Sequence, residues 1–173
     1  MVDVGGEWNQ AQLERFLAEA VVPVRIGCHH PDGGLWMLSL WYQFRDGTIR
    51  CATSESAAIT SFLRKNPAVS FEISTNHPPY MGVRGNGEAT LTPDADKTLL
   101  KALIERYLAG KDTPLARRLL SPEREEVVIT IQPERLYTWD FTPRMQGSQS
   151  NQSPETAAEG AQTSHRQIQS PKF

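Results

Sequence analysis

The sequence predicts a mainly β protein, an antiparallel barrel of about six strands with two or three helices at its edges. Three observations predict this class. Runs rich in β-forming residues are joined by hairpin signals, apolar residues recur at period two, and strands and helices do not alternate as in a doubly wound sheet. With 173 residues, the chain is long enough for one domain with a sizeable core.

The first predicted element is a helix that begins after Asn9. This residue is suited to cap the helix, and Gln12 stands three residues on, as a capping box requires. Four apolar residues then share one helical face: Leu13, Phe16, Leu17 and Ala20. A β-rich run over 21–28 follows and ends at the turn signal of 31–34.

A long strand is predicted over 35–44. The Asp46-Gly47 pair is a strong hairpin signal, so the chain is expected to return as a strand over 48–53. A short helix is predicted over 55–65, because Asn66-Pro67 disfavours its continuation.

Period-two alternation predicts a half-buried strand over 68–74. Another strand is predicted over 80–91, after which Thr92 and Pro93 suit the cap and first position of a helix. That helix has the apolar residues Leu99, Leu100, Leu103, Ile104, Tyr107 and Leu108 and would end at Gly110. A short helix over 115–120 and a strand before Trp139, marked by Val127, Ile129 and Ile131, complete the predicted domain.

Composition excludes several functional classes. A net charge of −2 gives no electrostatic reason to bind nucleic acid or an anionic membrane. The N-terminal residues lack the pattern of a secretory signal, and no apolar run approaches the roughly 20 residues of a membrane helix. A cytoplasmic protein is therefore expected, with Cys28 and Cys51 as buried reduced thiols.

The composition changes after Met145. Residues 146–173 are dominated by Ser, Gln, Pro and Gly, and they contain only Ile168 and Phe173 as large apolar residues. Such a segment cannot bury enough surface to offset its ordering entropy. A folded domain over 1–145 and a disordered C-terminal tail over 146–173 are therefore predicted.

Motifs spread over nearly all of residues 8–145 occur in an order and spacing that resemble the pyridoxamine 5'-phosphate oxidase-like family. This family includes FMN enzymes and relatives that use the deazaflavin F420. The motifs are Leu40-Trp41-Tyr42, Asp46-Gly47, Ala52-Thr53, the stretches 64–70 and 83–89, Pro78-Pro79-Tyr80, Arg106-Tyr107-Leu108 and Trp139-Asp140-Phe141. The resemblance implies a six-stranded antiparallel split β-barrel.

It also implies a cofactor, FMN or alternatively F420, in a groove between the two subunits of a homodimer. Carried over by position, the cofactor-binding residues are Leu38, Ser39, Leu40, Trp41, Ala52, Thr53, Ser54, Ser56, Gly82, Arg84 and Trp139. Trp139 or its neighbours could come from the partner subunit. No catalytic acid or base stands out, because the cofactor carries the redox step.

The chain departs from the family at the phosphate site. Where firm FMN binders have Ser-Arg-Lys, it has Ala57, Ala58 and Ile59, and phosphate recognition favours Arg or Lys. Two substitutes are considered: the hydroxyls of Thr53, Ser54 and Ser56 at the start of the short helix, and Arg84, with Arg64 or Lys65 as helpers. Gly82 occupies the position where the family places a glutamine against the flavin.

The leading hypothesis is an oxidoreductase acting on an unknown small molecule. The alternatives are a non-catalytic flavin-, haem- or small-molecule-binding split barrel, and a partner-binding domain that holds no cofactor. A metal site is not predicted, because Cys28, His29, His30 and His77 match no zinc spacing.

Overall fold

The computed structural model describes residues 2–108 and 112–147, so predictions for Gly110 and for 148–173 lie outside the described residues. The mainly β class is confirmed, since one curled sheet dominates the described residues. Its eight strands are β1 (Asp3–Gly6), β2 (Val24–His29), β3 (Leu35–Leu40), β4 (Tyr42–Arg45), β5 (Thr48–Ser54), β6 (Ala68–Ser74), β7 (Met81–Pro93) and β8 (Glu126–Asp140). The helices are α1 (Gln10–Glu19), α2 (Ala58–Lys65), α3 (Thr98–Leu108), α4 (Pro114–Leu119) and α5 (Thr142–Gly147).

The strands follow the order β3-β2-β6-β7-β8-β5-β4, and every neighbouring pair along this path is antiparallel. Strand β1 pairs with β8 in parallel, on the edge of β8 that β5 leaves free. Neither β1 nor α5 was predicted from the sequence.

Local signals placed several elements correctly. Asn9 and Gln12 form the predicted capping box at the start of α1. Asp46 and Gly47 both have positive φ, 51° and 74°, as a two-residue hairpin turn between β4 and β5 requires. Strand β6 spans the predicted residues, whereas α2 begins at Ala58, three residues later than predicted.

The single strand predicted over 35–44 is wrong, because the chain divides at Trp41. Strand β3 pairs with β2 at one edge of the sheet, and β4 pairs with β5 at the other. The segment therefore crosses between the two edges, and β3 also contacts β5. This crossing curls the sheet into a barrel that is split on one side.

Tyr42 stabilises the crossing. Its side chain is fully buried, and its hydroxyl donates to the carbonyl of Leu17 at 3.0 Å and lies 3.3 Å from that of Ala20. Burial raises the pKa of the Tyr42 hydroxyl, so it remains a donor even in alkaline solution. From the other side, the Tyr107 hydroxyl lies 2.9 Å from the carbonyl of Val22 and 3.3 Å from that of Tyr42.

The helix start predicted at Thr92 and Pro93 is also wrong. Both residues continue β7, paired with Val128 and Val127 of β8. Helix α3 begins at Thr98, where the Asp94 carboxylate accepts hydrogen bonds from the backbone N–H groups of Thr98 at 2.8 Å and Leu100 at 3.1 Å. An acidic side chain that caps the first turn accepts from backbone N–H groups that have no partner within the helix.

The main core fills the inner face of the curled sheet, where both cysteines are buried as free thiols, and burial raises the pKa of the Cys51 thiol. Helix α3 packs on the outer face of β5 and β8, with Leu99 and Leu103 against Val128. None of the helices in the described residues is long and apolar enough to span a membrane.

Tyr42→Phe is expected to lower the free energy of unfolding by about 1–3 kcal/mol, because the carbonyls of Leu17 and Ala20 lose a buried donor. Urea denaturation followed by circular dichroism measures the change. Tyr80→Phe, at a 42% exposed tyrosine, is the matched control and should be nearly neutral. Equal effects of the two substitutions would contradict the role assigned to Tyr42.

Candidate functional site

A row of directly opposed residues crosses the outer face of the sheet over five strands. From β3 to β8 its members are Ser39, Arg25, Glu72, Arg84 and Tyr137. Directly opposed side chains on one face are close enough to interact. The row therefore places the Glu72 carboxylate between two guanidinium groups, that of Arg25 on one side and that of Arg84 on the other.

The two arginines have different partners. Arg25 contacts Glu72 Oε1 at 3.4 Å, Ser74 Oγ at 3.0 Å and Asn76 Oδ1 at 2.6 Å. Arg84 is exposed, and its side chain has no hydrogen bond or ion pair within the described parts of the chain. Its Cζ atom instead lies 5.1 Å from the ring centroid of Tyr137 and 5.8 Å from that of Trp139. The aromatic faces hold this cation while its N–H donors stay free.

Gly82 and Trp139 are opposed on β7 and β8 and depend on each other. A Cβ atom at Gly82 would lie 2.6 Å from the Ile73 carbonyl oxygen and 2.8 Å from a carbon of the Trp139 indole. The indole therefore lies against the glycine backbone. Gly82 has a packing reason to be glycine, and Trp139 is positioned beside Arg84 as a result.

Arg25, Glu72, Arg84 and Tyr137 line an open groove of about 1130 Å³. Its floor includes small residues of three strands, Gly27, Ser70 and Gly85, and β3 supplies an apolar wall that includes the exposed Leu35 and Met37. The groove also contains the charged residues Asp3, Arg25, Glu72, Arg84, Glu88, Glu134 and Arg135. Ser39 lies three strands from Arg84, about 14 Å across the sheet.

Three further residues predicted to bind the cofactor, Leu38, Leu40 and Trp41, do not line this groove. Leu38 and Leu40 pack against the main core on the inner face. Trp41 stacks on Tyr107 of α3, with ring centroids 5.3 Å apart and planes inclined by 10°. Of the predicted residues 38–41, Ser39 is thus the one that the structure exposes on the same face as Arg84.

The predicted residues at 52–56 lie at the end of β5 and in the turn after it. Ala52 packs under α3 and α4, Thr53 is buried, and the hydroxyls of Ser54 and Ser56 hydrogen bond to each other at 2.9 Å. Ser54 is directly opposite the buried Glu126. The carboxylate of Glu126 is paired with Arg124. The hydroxyls of Thr53, Ser54 and Ser56 carry no positive charge, whereas phosphate recognition favours Arg or Lys. These three residues are therefore a poorer phosphate site than Arg84.

The start of α2 supplies no cation either. Ile59 is 2% exposed and belongs to the core, and Ala57 caps the helix without a side-chain hydrogen bond. Arg64 is paired with Glu55, and Lys65 is exposed at the far end of the helix. Neither basic residue joins Arg84 in the groove.

One chain does not bring all the predicted residues together. Thr53 is opposite Val127, and Arg84 is opposite Tyr137. At 3.3 Å per residue, these two β8 positions are roughly 30 Å apart along the strand. The β5 residues and Arg84 therefore belong to different surfaces of the chain.

Sequence reasoning missed Arg25, Glu72 and Tyr137. Tyr137 could have been found, because it stands two residues before Trp139 in a strand and so shares its face. Arg25 and Glu72 depend on the register of three strands, which no local signal specifies. Among the described residues, no group of three or more His, Cys, Asp or Glu could hold a metal ion.

Gly82→Ala is expected to lower the free energy of unfolding by about 1–3 kcal/mol, because the added methyl group collides with backbone and with the Trp139 ring. The control is Gly27→Ala on the same face, where the nearest atom to a Cβ is 3.8 Å away. Thermal unfolding compares the two variants. The packing role of Gly82 is rejected if both variants melt at the wild-type temperature.

No protein-family model matches the sequence, and no curated protein matches it. Solved structures do match the fold. The conserved hypothetical protein Rv2991 from Mycobacterium tuberculosis aligns with a TM-score of 0.64 and 21% identity, over 90% of this chain and 94% of that one. An F420 reductase aligns with a TM-score of 0.57 and 21% identity, over 69% and 92%.

A candidate pyridoxamine 5'-phosphate oxidase from Listeria innocua aligns with a TM-score of 0.56 and 18% identity, over 74% of this chain and 95% of that one. At such identities a likeness establishes the fold and leaves the ligand open. The expectation drawn from the sequence motifs is confirmed at that level: the chain has the split-barrel fold of the pyridoxamine 5'-phosphate oxidase-like proteins.

Proposed function

We propose that the protein is an oxidoreductase that binds FMN or F420 in the outer-face groove, with the cofactor phosphate on Arg84. The observation that carries this proposal is the Arg84 guanidinium, which is exposed, held over two aromatic rings and without an anionic partner in the described residues. Arginine is the side chain best suited to bind a phosphate through paired N–H donors.

The residues around Arg84 fit such a group. Tyr137 lines the groove and offers it a flat apolar surface, Trp139 lies against Arg84 beside it, and the groove has room for a ligand of this size. Ser39, on the same face, supplies a hydroxyl and lies within reach of a molecule that extends from Arg84. When bound, the cofactor would carry the hydride or electrons, while this chain binds the phosphate, orients the ring and shapes the substrate pocket.

We further propose that the working form is a homodimer. The groove is open to solvent on one side, and Leu35, Met37 and Tyr137 are 81%, 69% and 50% exposed beside it. Exposed apolar side chains grouped on one face are typical of an interaction surface. A second copy would cover the groove and could bring its own β5 residues to the cofactor, which one chain cannot do.

Arg84→Gln is expected to weaken binding of FMN or F420 about tenfold or more, because a charge-assisted hydrogen bond to phosphate contributes about 1.5–3 kcal/mol. Quenching of cofactor fluorescence on titration with purified protein measures the affinity. The matched control is Arg45→Gln, at the end of β4, where the arginine is paired with Asp46. It should bind like the wild type.

Two results would count against the proposal. Unchanged affinity in Arg84→Gln would remove Arg84 from the site. A wild-type protein that binds neither cofactor would leave the non-catalytic alternatives, and a Soret band after incubation with haem would favour the haem-binding one.

Met37→Glu is expected to shift the protein from dimer to monomer, since it places a charge on the exposed apolar wall of the groove. Sedimentation velocity over a range of concentrations measures the shift. Gln10→Glu, an exposed charge change on α1, is the control and should leave the dimer intact. A wild-type monomer at all concentrations would refute the dimer.

A further inference from the structure

Glu72 lies between two arginines on the outer face of the sheet, but only one of them is its partner. In the register of the strands, Arg25 of β2 and Arg84 of β7 are both directly opposite Glu72. Opposite charges in such positions attract each other across the strands. Among the described residues, Glu72 forms an ion pair with Arg25, in which Nη1 lies 3.4 Å from Oε1, and none with Arg84. The preference of Glu72 for one arginine therefore needs a physical reason.

A short hydrogen-bond network fixes the Glu72 carboxylate to Arg25. Ser74 stands two residues after Glu72 on the same face of β6, is only 8% exposed, and donates from Oγ to Glu72 Oε1 at 2.8 Å. The same hydroxyl accepts from Arg25 Nη1 at 3.0 Å, and Arg25 Nη2 donates to Asn76 Oδ1 at 2.6 Å. Two donors thus converge on Glu72 Oε1, and neither belongs to Arg84.

Arg84 is drawn in the opposite direction, toward β8. Its Cζ atom lies 5.1 Å from the ring centroid of Tyr137 and 5.8 Å from that of Trp139, both on the strand that β7 separates from β6. Contact with an aromatic face leaves the N–H donors available, whereas an ion pair with Glu72 would occupy them. A carboxylate on Arg84 would compete with a phosphate for the same donors. The availability of Arg84 therefore depends on where the Glu72 carboxylate is held.

We propose that Arg25 is a positioning residue of the cofactor site, which holds Glu72 and so keeps the Arg84 guanidinium free to bind an anionic group. This inference rests on the proposed function, because Arg84 is assigned there to the cofactor phosphate. Arg25 acts through Glu72 and needs no contact with the cofactor. Removal of Arg25 releases Glu72 to pair with Arg84 across β6 and β7, and the released carboxylate then blocks the anion site.

The arrangement can be tested by NMR on the full chain without cofactor. The Nε–H signal of Arg84, assigned by its loss in Arg84→Gln, should lie upfield of its ordinary position, because the guanidinium lies over aromatic rings. Arg25→Gln should move this signal toward the ordinary position, as the guanidinium leaves the rings for Glu72. The double variant Arg25→Gln/Glu72→Gln should return it. Arg45→Gln, at a paired arginine at the end of β4, is the matched control and should leave the signal unmoved.

The consequence for the cofactor is tested by a double-mutant cycle on the affinity for FMN or F420, whichever the wild-type protein binds. Arg25→Gln should weaken binding about two- to fivefold, the effect expected when an exposed pair of opposite charges must be broken. Glu72→Gln should have little effect where Arg25 is present and should restore the affinity in the Arg25→Gln background. A mere loss of positive charge would instead give Glu72→Gln the same effect in both backgrounds.

Two results would overturn the proposal: an Arg84 signal that does not move in Arg25→Gln, or additive effects in the cycle. If the wild-type protein binds neither cofactor, the proposed function fails, whereas the NMR comparison still decides whether Arg25 controls Arg84. If Arg25→Gln does not fold, Arg25→Lys takes its place. A single ammonium group cannot engage Ser74 and Asn76 as a guanidinium does, so a smaller movement of the Arg84 signal in the same direction is expected.

Discussion

The split barrel depends on one buried crossing, where the chain passes from β3 at one edge of the sheet to β4 at the other. Tyr42 lies directly after this crossing, without solvent exposure, and its hydroxyl ties it to the end of α1. Tyr107 ties α3 to the same place, and Trp41 stacks on it. These contacts fix the crossing against α1 and α3, and the crossing in turn brings the two edges together and curls the outer face on which the groove lies.

Much of the fold could be predicted because its signals are local. A capping box, an Asp-Gly turn and a period-two strand each act through neighbouring residues, and each was confirmed. The crossing within 35–44 could not be predicted, because both halves favour β structure and only their different partners separate them. The helix start predicted at Thr92 and Pro93 is wrong for a related reason. Pairing with β8 extends β7 through them, and the cap is Asp94, two residues beyond Thr92.

The residues of the candidate site also fall into those that local signals predict and those that only the structure reveals. Residues on one strand were predicted to share a face by alternation, which put Gly82 and Arg84 together. Their cross-strand neighbours, Glu72 and Tyr137, follow from register and needed the structure. The structure also bears on the absence of the basic residues at 57–59. Because Ile59 packs in the core, a lysine at this position would place a charge where it cannot be solvated. The change at 57–59 therefore cannot be reversed by one substitution.

Strand β8 pairs with β7, β5 and β1, so the last strand of the sheet in sequence is also a central one in space. During synthesis, one edge of β5 stays unpaired until residues 126–131 are available, and one edge of β7 stays incompletely paired until residue 140 is available. Such long-range pairing makes folding slow and leaves strand edges open to other chains. A truncation that removes β8 would therefore expose the edges of β5 and β7 together, and it would leave an aggregation-prone remnant rather than a smaller domain.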